Sequence, residues 1–316
     1  MMNINTQNTV FCLMGPTATG KTDCAILLAK KFPIEIVSVD SAMVYKTMDI
    51  GTGKPTADEL KIIPHHLINL IDPAESYSAG QFCIDAKQKI QEIFSRNNIP
   101  LLVGGTMLYF HQLLYGLAEL PTANYSIRKK LHQEIQDVGL KQLYEKLEKI
   151  DPISASKIKP QDSQRIQRAL EVYLLTGKPI SDFYKQNQNL FLQNYHVKTI
   201  ALIPNDRALL HCHIEKRFQK MLAMGLIDEV KALHDRKDLN PGMTATRMIG
   251  YRQIWEYLDG VFDLERMHQK VLAATRQLAK RQLTWLRNWD NLITLDPFTS
   301  DIQSLSRHLK DTMNMF

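Results

Sequence analysis

The chain has 316 residues and a mass of 36.3 kDa, enough for one full hydrophobic core and a smaller second domain. Hydrophobic residues make up 44% and charged residues 23%, which excludes extended disorder away from the ends. The formal charge of +6 and a pI near 9.0 favour a polyanionic partner and leave the decision to where the charge lies. Cys12, Cys24, Cys83 and Cys212 form no CxxC pair, which argues against a disulfide framework or a zinc knuckle and fits a reducing cytoplasm. The start, Met1 to Thr9, is polar and lacks the basic run of a signal peptide, and no apolar stretch approaches the length of a membrane span.

Val10–Met14 reads as a short buried strand with glycine directly after it, and Thr22–Phe32 as a helix with apolar Ala25, Ile26, Leu28 and Ala29. Ile34–Val39 is a second apolar run ending at Asp40, and Leu67–Ile71 is a candidate third strand. Ser78 with Gln81 reads as a capping box opening a helix that carries Phe82, Ala86, Ile90, Ile93 and Phe94. Ile99–Val103 is the next strand and stops at Gly104-Gly105-Thr106. Strands alternating with helices predict a parallel sheet covered on both faces.

From about Leu117 the pattern turns helical and polar, with one long or broken helix over Tyr125–Ile150 and another over Ser163–Leu175 closed by Gly177 and Pro179. Val197–Ile203 resumes a strand, and the remainder is mostly helix: Asp206–Met224, Ile227–Arg236, Thr246–Leu258 and Leu264–Trp289. The expected organisation is an α/β core over 1–116 and 197–316, interrupted by a helical insertion domain over 117–196.

Gly15-Pro16-Thr17-Ala18-Thr19-Gly20-Lys21-Thr22 matches GxxxxGK[ST] and lies between a predicted strand and a predicted helix. The glycines let backbone amides curl around phosphate oxygens, the helix start adds its positive end, Lys21 reaches the phosphates and the Thr22 hydroxyl is placed to hold Mg²⁺. The fold class expected is a P-loop NTPase-like parallel sheet flanked by helices, with a helical C-terminal part. The motif specifies phosphate binding, with ATP as one option. Asp40 ends a strand on the side where ligands gather in such sheets, and two readings stay open: a Mg²⁺-binding aspartate or a general base.

Asp40-Ser41-Ala42-Met43-Val44-Tyr45, Met48-Asp49-Ile50-Gly51-Thr52-Gly53-Lys54-Pro55, Pro64-His65-His66-Leu67, Tyr77-Ser78-Ala79 and Leu102 to Tyr109 together resemble the tRNA dimethylallyltransferase (tRNA isopentenyltransferase) family. So do Arg165 to Arg168 with Ala169-Leu170-Glu171-Val172, Gly250-Tyr251-Arg252-Gln253, and Thr275 to Gln282 with Trp285-Leu286-Arg287. The resemblance runs from about Val10 to about Trp289 with the motifs in family order and no Cys/His zinc finger after them, as in the bacterial form.

The resemblance implies transfer of a dimethylallyl group from dimethylallyl diphosphate to N6 of the adenosine 3′ of the anticodon, giving N6-(dimethylallyl)adenosine and diphosphate. It implies Asp40, Thr106 and Arg217 as the catalytic set, with Asp40 taking the N6 proton, Arg217 on the diphosphate, and Thr106 on either the base or the diphosphate. For tRNA it implies Asp40, Ser41, Ala42, Met43 and Thr106; Arg128, Gln164, Arg165, Ile166, Gln167 and Arg168; Arg247, Met248, Ile249, Gly250, Tyr251 and Arg252; and Arg276, Lys280, Arg281, Gln282, Leu283, Thr284, Trp285, Leu286 and Arg287. Mg²⁺ is the expected cofactor, tRNA and dimethylallyl diphosphate the partners, and a cytoplasmic monomer with no membrane association the expected state.

The residues themselves support an RNA face. Between Arg266 and Trp289 there are six basic residues and no acidic one, with Arg276, Lys280 and Arg287 on one helical face and Met267, Val271, Ala274, Leu278 and Trp285 opposite. His211 and His213 lack a third metal ligand, His65-His66 reads as strand support, and Met221 and Met224 as core. The competing functions are a P-loop small-molecule kinase, a transferase acting on free adenylate, and a non-enzymatic RNA-binding protein. The basic helix argues against the first two and Asp40 against the third.

Overall fold

Strand β1, Thr9–Met14, is buried at every position because its two faces serve two different cores. Val10, Cys12 and Met14 join one apolar cluster, and Phe11 and Leu13 join the other, the period of two that a strand between two helical layers requires. The computed structural model describes residues 8–116, 118, 120–185, 191–299 and 301–314; the expectation for the chain start up to Gln7, and that for Leu117, lie outside them.

With β2 (Ile34–Val39), β3 (His65–His66), β4 (Ile99–Gly104), β5 (His196–Leu202) and β6 (Leu292–Leu295), β1 forms a six-stranded parallel sheet of order β3-β2-β4-β1-β5-β6. The C-terminal ends of β1, β2, β4 and β5 therefore lie along one rim, where an open α/β sheet gathers its ligands.

The helices of the same unit are α1 (Lys21–Ala29), α2 (Ala57–Ile62), α3 (Ala79–Ser95) and α4 (Met107–Tyr115). The second unit, Tyr115–Leu190, contributes α5 (Tyr125–Val138), α6 (Leu140–Ile150), α7 (Pro152–Ala155), α8 (Ser163–Thr176) and α9 (Ile180–Lys185). The first unit resumes with α10 (Arg207–Ala223), α11 (Leu226–His234), α12 (Tyr251–Leu258), α13 (Leu264–Arg287) and α14 (Ile302–Asn314). α14 packs on α1.

Several sequence expectations need correction. The run 67–71 is not a strand: β3 is confined to His65–His66, because Leu67 (φ 62°) and Asn69 (φ 54°) turn the backbone into the left-handed region. The Ser78 box is half formed: Ser78 accepts from the Gln81 amide, while the Gln81 side chain donates to Asp85. α1 stops at Ala29, and α12 starts only at Tyr251. The helix expected as long or broken over 125–150 is the broken one, divided by Gly139, at φ 85°, into α5 and α6. Met224 is 54% exposed and is not core. α2, α4, α9 and β6 were not foreseen, although α2 carries the full capping box of Thr56 with Glu59.

The second unit has its own core of Leu131, Leu143, Leu147, Ile166, Leu170 and Val172. Beside it Glu171 is fully buried and accepts from Arg128 (2.9 and 3.2 Å), from Arg168 (2.7 Å) and from the Asn124 amide (2.7 Å). Burial works against the Glu171 charge, but the two guanidiniums outweigh it and hold the carboxyl below its ordinary range.

In the first unit Glu35 on β2 is the corresponding buried acid. It accepts from Arg96 (2.7 and 2.8 Å), from Asn98 (2.7 Å) and from His66 Nε2 (2.6 Å). Chiefly through Arg96, its carboxyl is held down at about 2. A carboxylate with a lowered folded value stabilises fully above its unfolded value and loses that contribution as pH falls towards the folded value. Glu35→Gln is therefore expected to remove about 3 kcal/mol of stability at neutral pH and to flatten the acid-unfolding limb between about pH 4.5 and 2. Urea unfolding across that range checks it; a limb of unchanged steepness contradicts it.

Candidate active site

The phosphate loop begins where β1 meets the rim. A Cβ on Gly15 would lie 2.9 Å from the Leu202 carbonyl oxygen at the end of β5, so only glycine lets the chain turn there. Ala18 (φ 64°) and Gly20 (φ 73°) then curl the loop into α1. Gly20 supplies no side-chain cap, so the amides of the first turn of α1 remain directed at whatever lies in the loop. Thr19 Oγ1 and Lys21 Nζ both donate to the Pro16 carbonyl, at 2.9 and 2.6 Å. Burial, then neighbouring Arg217, push the Lys21 ammonium down to about 7 against the opposing pull of Asp40. A buried cation of this kind is stabilised by an anion placed beside it.

Gln282 on α13 locks the loop to the next strand end. Its Oε1 accepts from the Thr17 amide (3.0 Å) and its Nε2 donates to the Gly105 carbonyl (2.8 Å), with the residue 8% exposed. Gly104 is dictated by packing, since a Cβ there would collide with the Val39 carbonyl. This tight β2–β4 approach brings Thr106 to Asp40-Ser41: the Thr106 amide donates to Val39 O (3.2 Å), and its hydroxyl accepts from the Ser41 amide (3.1 Å). Asp40 Oδ1 accepts from the Ala42 amide (2.8 Å), which fixes the carboxylate.

Arg217 reaches the same place from α10. Its Nη2 donates to the Thr52 carbonyl (3.3 Å), and burial lowers its pKa against the pull of Asp40 and Asp23. Lys21, Thr22, Asp40, Thr106 and Arg217 line one cavity of about 500 Å³. Its other walls are largely apolar, with Met43, Ile68, Leu108, Phe218, Met221, Leu278 and Trp285 among them. A cationic loop thus opens onto apolar surface in one chamber. Among the described residues no group of three His, Cys, Asp or Glu side chains is placed to hold a metal, and no helix is long and apolar enough to cross a membrane.

Of the residues singled out in the sequence, Thr17, Ala18, Lys21, Thr22, Asp40 to Met43, Thr106, Arg217, Arg247 to Tyr251, Arg281, Gln282 and Trp285 line this cavity. Gly15, Pro16, Thr19 and Gly20 shape the loop from behind.

The side chains of Tyr251 (1% exposed), Leu283 and Leu286 are buried in the protein, as is that of Ile166 within the second unit, so none of the four presents its side chain on the outer surface. The side-chain hydrogen bonds of Gln282 and Tyr251 are likewise made inside the protein. The face of α13 opposite the basic triplet also differs from expectation. Met267 and Val271 are buried with Ala279, Gln282, Leu283 and Leu286, whereas Leu278 and the 39%-exposed Trp285 face the cavity. Arg276 is half-buried, 3.8 Å from Glu215, while Lys280, Thr284 and Arg287 are exposed. Arg252 is exposed beside Glu256. In the second unit Gln164 and Arg165 are exposed on α8, with Gln167 and Arg168 half-buried.

Residues not anticipated include Thr52, Gly53, Ile68 and Leu108 in the cavity lining, and Glu229 behind it, which accepts from the amides of Asp49, Ile50 and Gly51.

Fold and site together define an α/β protein with a six-stranded parallel sheet, in which a cationic loop with the GxxxxGK[ST] pattern faces an apolar chamber. The sequence matches the IPP transferase family over residues 43–289, and the chain belongs to that family. It is 54% identical over 280 residues to a tRNA dimethylallyltransferase of Coxiella burnetii (strain Dugway 5J108-111), covering 89% of this chain and 90% of the other. Among solved structures it is similar to the full-length tRNA isopentenylpyrophosphate transferase of Bacillus halodurans (36% identity, 98% and 97% of the two chains, TM-score 0.67). It is also similar to a eukaryotic dimethylallyltransferase described as acting on tRNA (28% identity, 96% and 77%, TM-score 0.78).

The Gln282 bridge has a measurable weight. Gln282→Leu leaves the Thr17 amide and the Gly105 carbonyl without their partner, and is expected to cost about 1–3 kcal/mol for each group that stays dry. The urea midpoint of the purified variant reads this directly. A midpoint equal to wild type means that the loop holds its place without the bridge.

Proposed function

We propose that this protein transfers a dimethylallyl group from dimethylallyl diphosphate to N6 of the adenosine 3′ of the anticodon in tRNA, releasing diphosphate. The observation that carries the reading is the single cavity in which a P-loop, Arg217 and the Asp40 carboxylate meet apolar walls. A phosphate cradle alone suits many reactions. An apolar chamber beside it suits a donor whose transferred part is a hydrocarbon and an acceptor that is a flat base.

In this reaction the donor's C1–O bond breaks and an N6–C1 bond forms. Negative charge grows on the departing diphosphate, towards which the first-turn amides of α1, Lys21 and Arg217 are arranged. Asp40 takes the N6 proton, and the Ala42 amide keeps its carboxylate aimed. Thr106, held by Ser41, orients the reacting groups. A hard divalent cation is bound with few protein ligands beside phosphate groups, and here the Thr22 hydroxyl would hold Mg²⁺ together with diphosphate oxygens. When bound, the ion neutralises charge on the leaving group.

The acceptor base stands in a loop of the tRNA and is unstacked at modest cost. Arg247 and Arg281 at the cavity suit the adjoining phosphates, and exposed Lys280 and Arg287 extend a basic face along α13. The tRNA acceptor suits the cytoplasm.

The direct test is incubation with unmodified tRNA and labelled dimethylallyl diphosphate. Label in the tRNA is expected with the wild-type protein, and Asp40→Asn is expected to lower turnover by roughly 10²–10⁴ with tRNA binding retained, because the amide keeps the Ala42 contact and cannot accept a proton. Near-normal turnover in Asp40→Asn removes the general-base role.

For the RNA face, Lys280→Ala with Arg287→Ala is expected to reduce the slope of log affinity against log salt by about 1.5, at roughly 0.7–0.9 for each phosphate that the variant no longer neutralises. Titration of tRNA at several salt concentrations measures the slope. An unchanged value assigns this face of α13 to solvent.

A further inference from the structure

Three consecutive backbone amides, those of Asp49, Ile50 and Gly51, converge on one carboxylate from a distant helix. Glu229 on α11 accepts from Asp49 N (2.8 Å) and Ile50 N (2.7 Å) through Oε2, and from Gly51 N (3.0 Å) through Oε1. The Tyr251 hydroxyl donates to the same Oε1 at 2.6 Å. Burial and the Glu229 charge raise the Tyr251 pKa, so the phenol remains a donor. Convergent amides of this kind form a concave anion site, and here a protein carboxylate fills it.

The segment so fastened is in contact with Arg217. A Cβ on Gly51 would lie 2.6 Å from the Tyr251 ring, so the segment is seated against α12 with no slack. One residue on, the Thr52 carbonyl accepts from Arg217 Nη2. At Gly53, with φ 68°, a Cβ would collide with that same nitrogen. The Arg217 guanidinium therefore rests on the backbone of Thr52-Gly53, and Glu229 fixes where that backbone lies. Among the described residues Glu229 itself does not line the cavity.

We propose that Glu229 is a positioning residue for Arg217: by filling the amide nest at 49–51 it sets the seat on which the guanidinium is held over the phosphate loop. The proposal rests on the reading that this cavity takes the donor diphosphate. Glutamine is the informative replacement. It keeps the size of the side chain but presents an N–H₂ group to amides that are themselves donors, so the segment must shift. A displacement of about 1 Å at a charged group aimed at developing charge lowers the rate by up to roughly a hundredfold.

The experiment is steady-state prenylation of tRNA with dimethylallyl diphosphate varied, using wild type, Glu229→Gln, Arg217→Ala, the double variant and Gly53→Ala, each checked for folding by thermal melting. Glu229→Gln is expected to lower kcat/KM for the donor by roughly tenfold to a hundredfold and to leave the KM for tRNA unchanged. In the Arg217→Ala background it is expected to cost little more, since residues acting through one another are not additive. Gly53→Ala, with Glu229 intact, is expected to give the same donor-side loss by displacing the guanidinium directly. Donor kinetics of Glu229→Gln equal to wild type, or losses that multiply independently with Arg217→Ala, overturn the proposal. Wild-type donor kinetics in Arg217→Ala overturn the diphosphate reading of that arginine, and the positioning role with it. Should Glu229→Gln fail to fold, Gly53→Ala decides: a donor-side loss supports the seat, and wild-type kinetics overturn it.

Discussion

A helix that begins without a side-chain cap leaves its first amides in search of an acceptor, and the site in this protein is organised around that deficit at α1. Nothing in the local sequence could satisfy these amides, because Gly20 has no side chain to offer. The remainder of the rim keeps the deficit open and in place. Leu202 of β5 fits only beside a glycine at position 15, Gln282 pins the loop to β4, and the Asp40 carboxylate offsets the charge of Lys21 that burial and neighbouring Arg217 disfavour. Each contact comes from a different part of the chain, which is why the site exists only in the assembled sheet.

How much of this was legible in the sequence follows from the range of the interactions. β1, the loop and β2 could be read because their signals are local: a buried run, a glycine pattern, a second run ending in an acid. The loop's anchor could not be read as an anchor, since Gln282 lies 265 residues from Thr17 and a glutamine on a basic helix looks like surface. Glu229 is 180 residues from Asp49 and was one acid among several on a short helix. Arg217 entered only through resemblance, because charges on an exposed helix face carry no signal of their own. The strand expected at 67–71 failed for a local reason that pattern does not carry, a left-handed backbone at two non-glycine residues.

Acids recur as organisers. Glu35 and Glu171 are buried and Glu229 half-buried; each collects several donors, and in two of the three the donors include an arginine. A carboxylate removed from water is costly unless its lone pairs are filled, so these acids impose geometry on whatever fills them. In the second unit this fixes Arg128 and Arg168 on one carboxylate, while Arg128 keeps half its side chain in solvent. Both arginines are thereby ordered within the fold, the planar guanidinium fork held to one carboxylate.

The two outermost strands of the sheet have a consequence for how the molecule behaves in a crowded solution. β3 contributes two residues and β6 four, while the strands between them run to six or seven. An open parallel sheet of this width has two borders at which a stray extended peptide could continue the ladder. Here an incoming strand finds two residues of pairing on one side before the backbone turns left-handed at Leu67, and four on the other before the chain leaves at Asp296. Neither border offers enough length to template growth. The wide, well-paired interior that builds the rim is thus flanked by margins too short to recruit a neighbour, which disfavours edge-to-edge aggregation of the sheet.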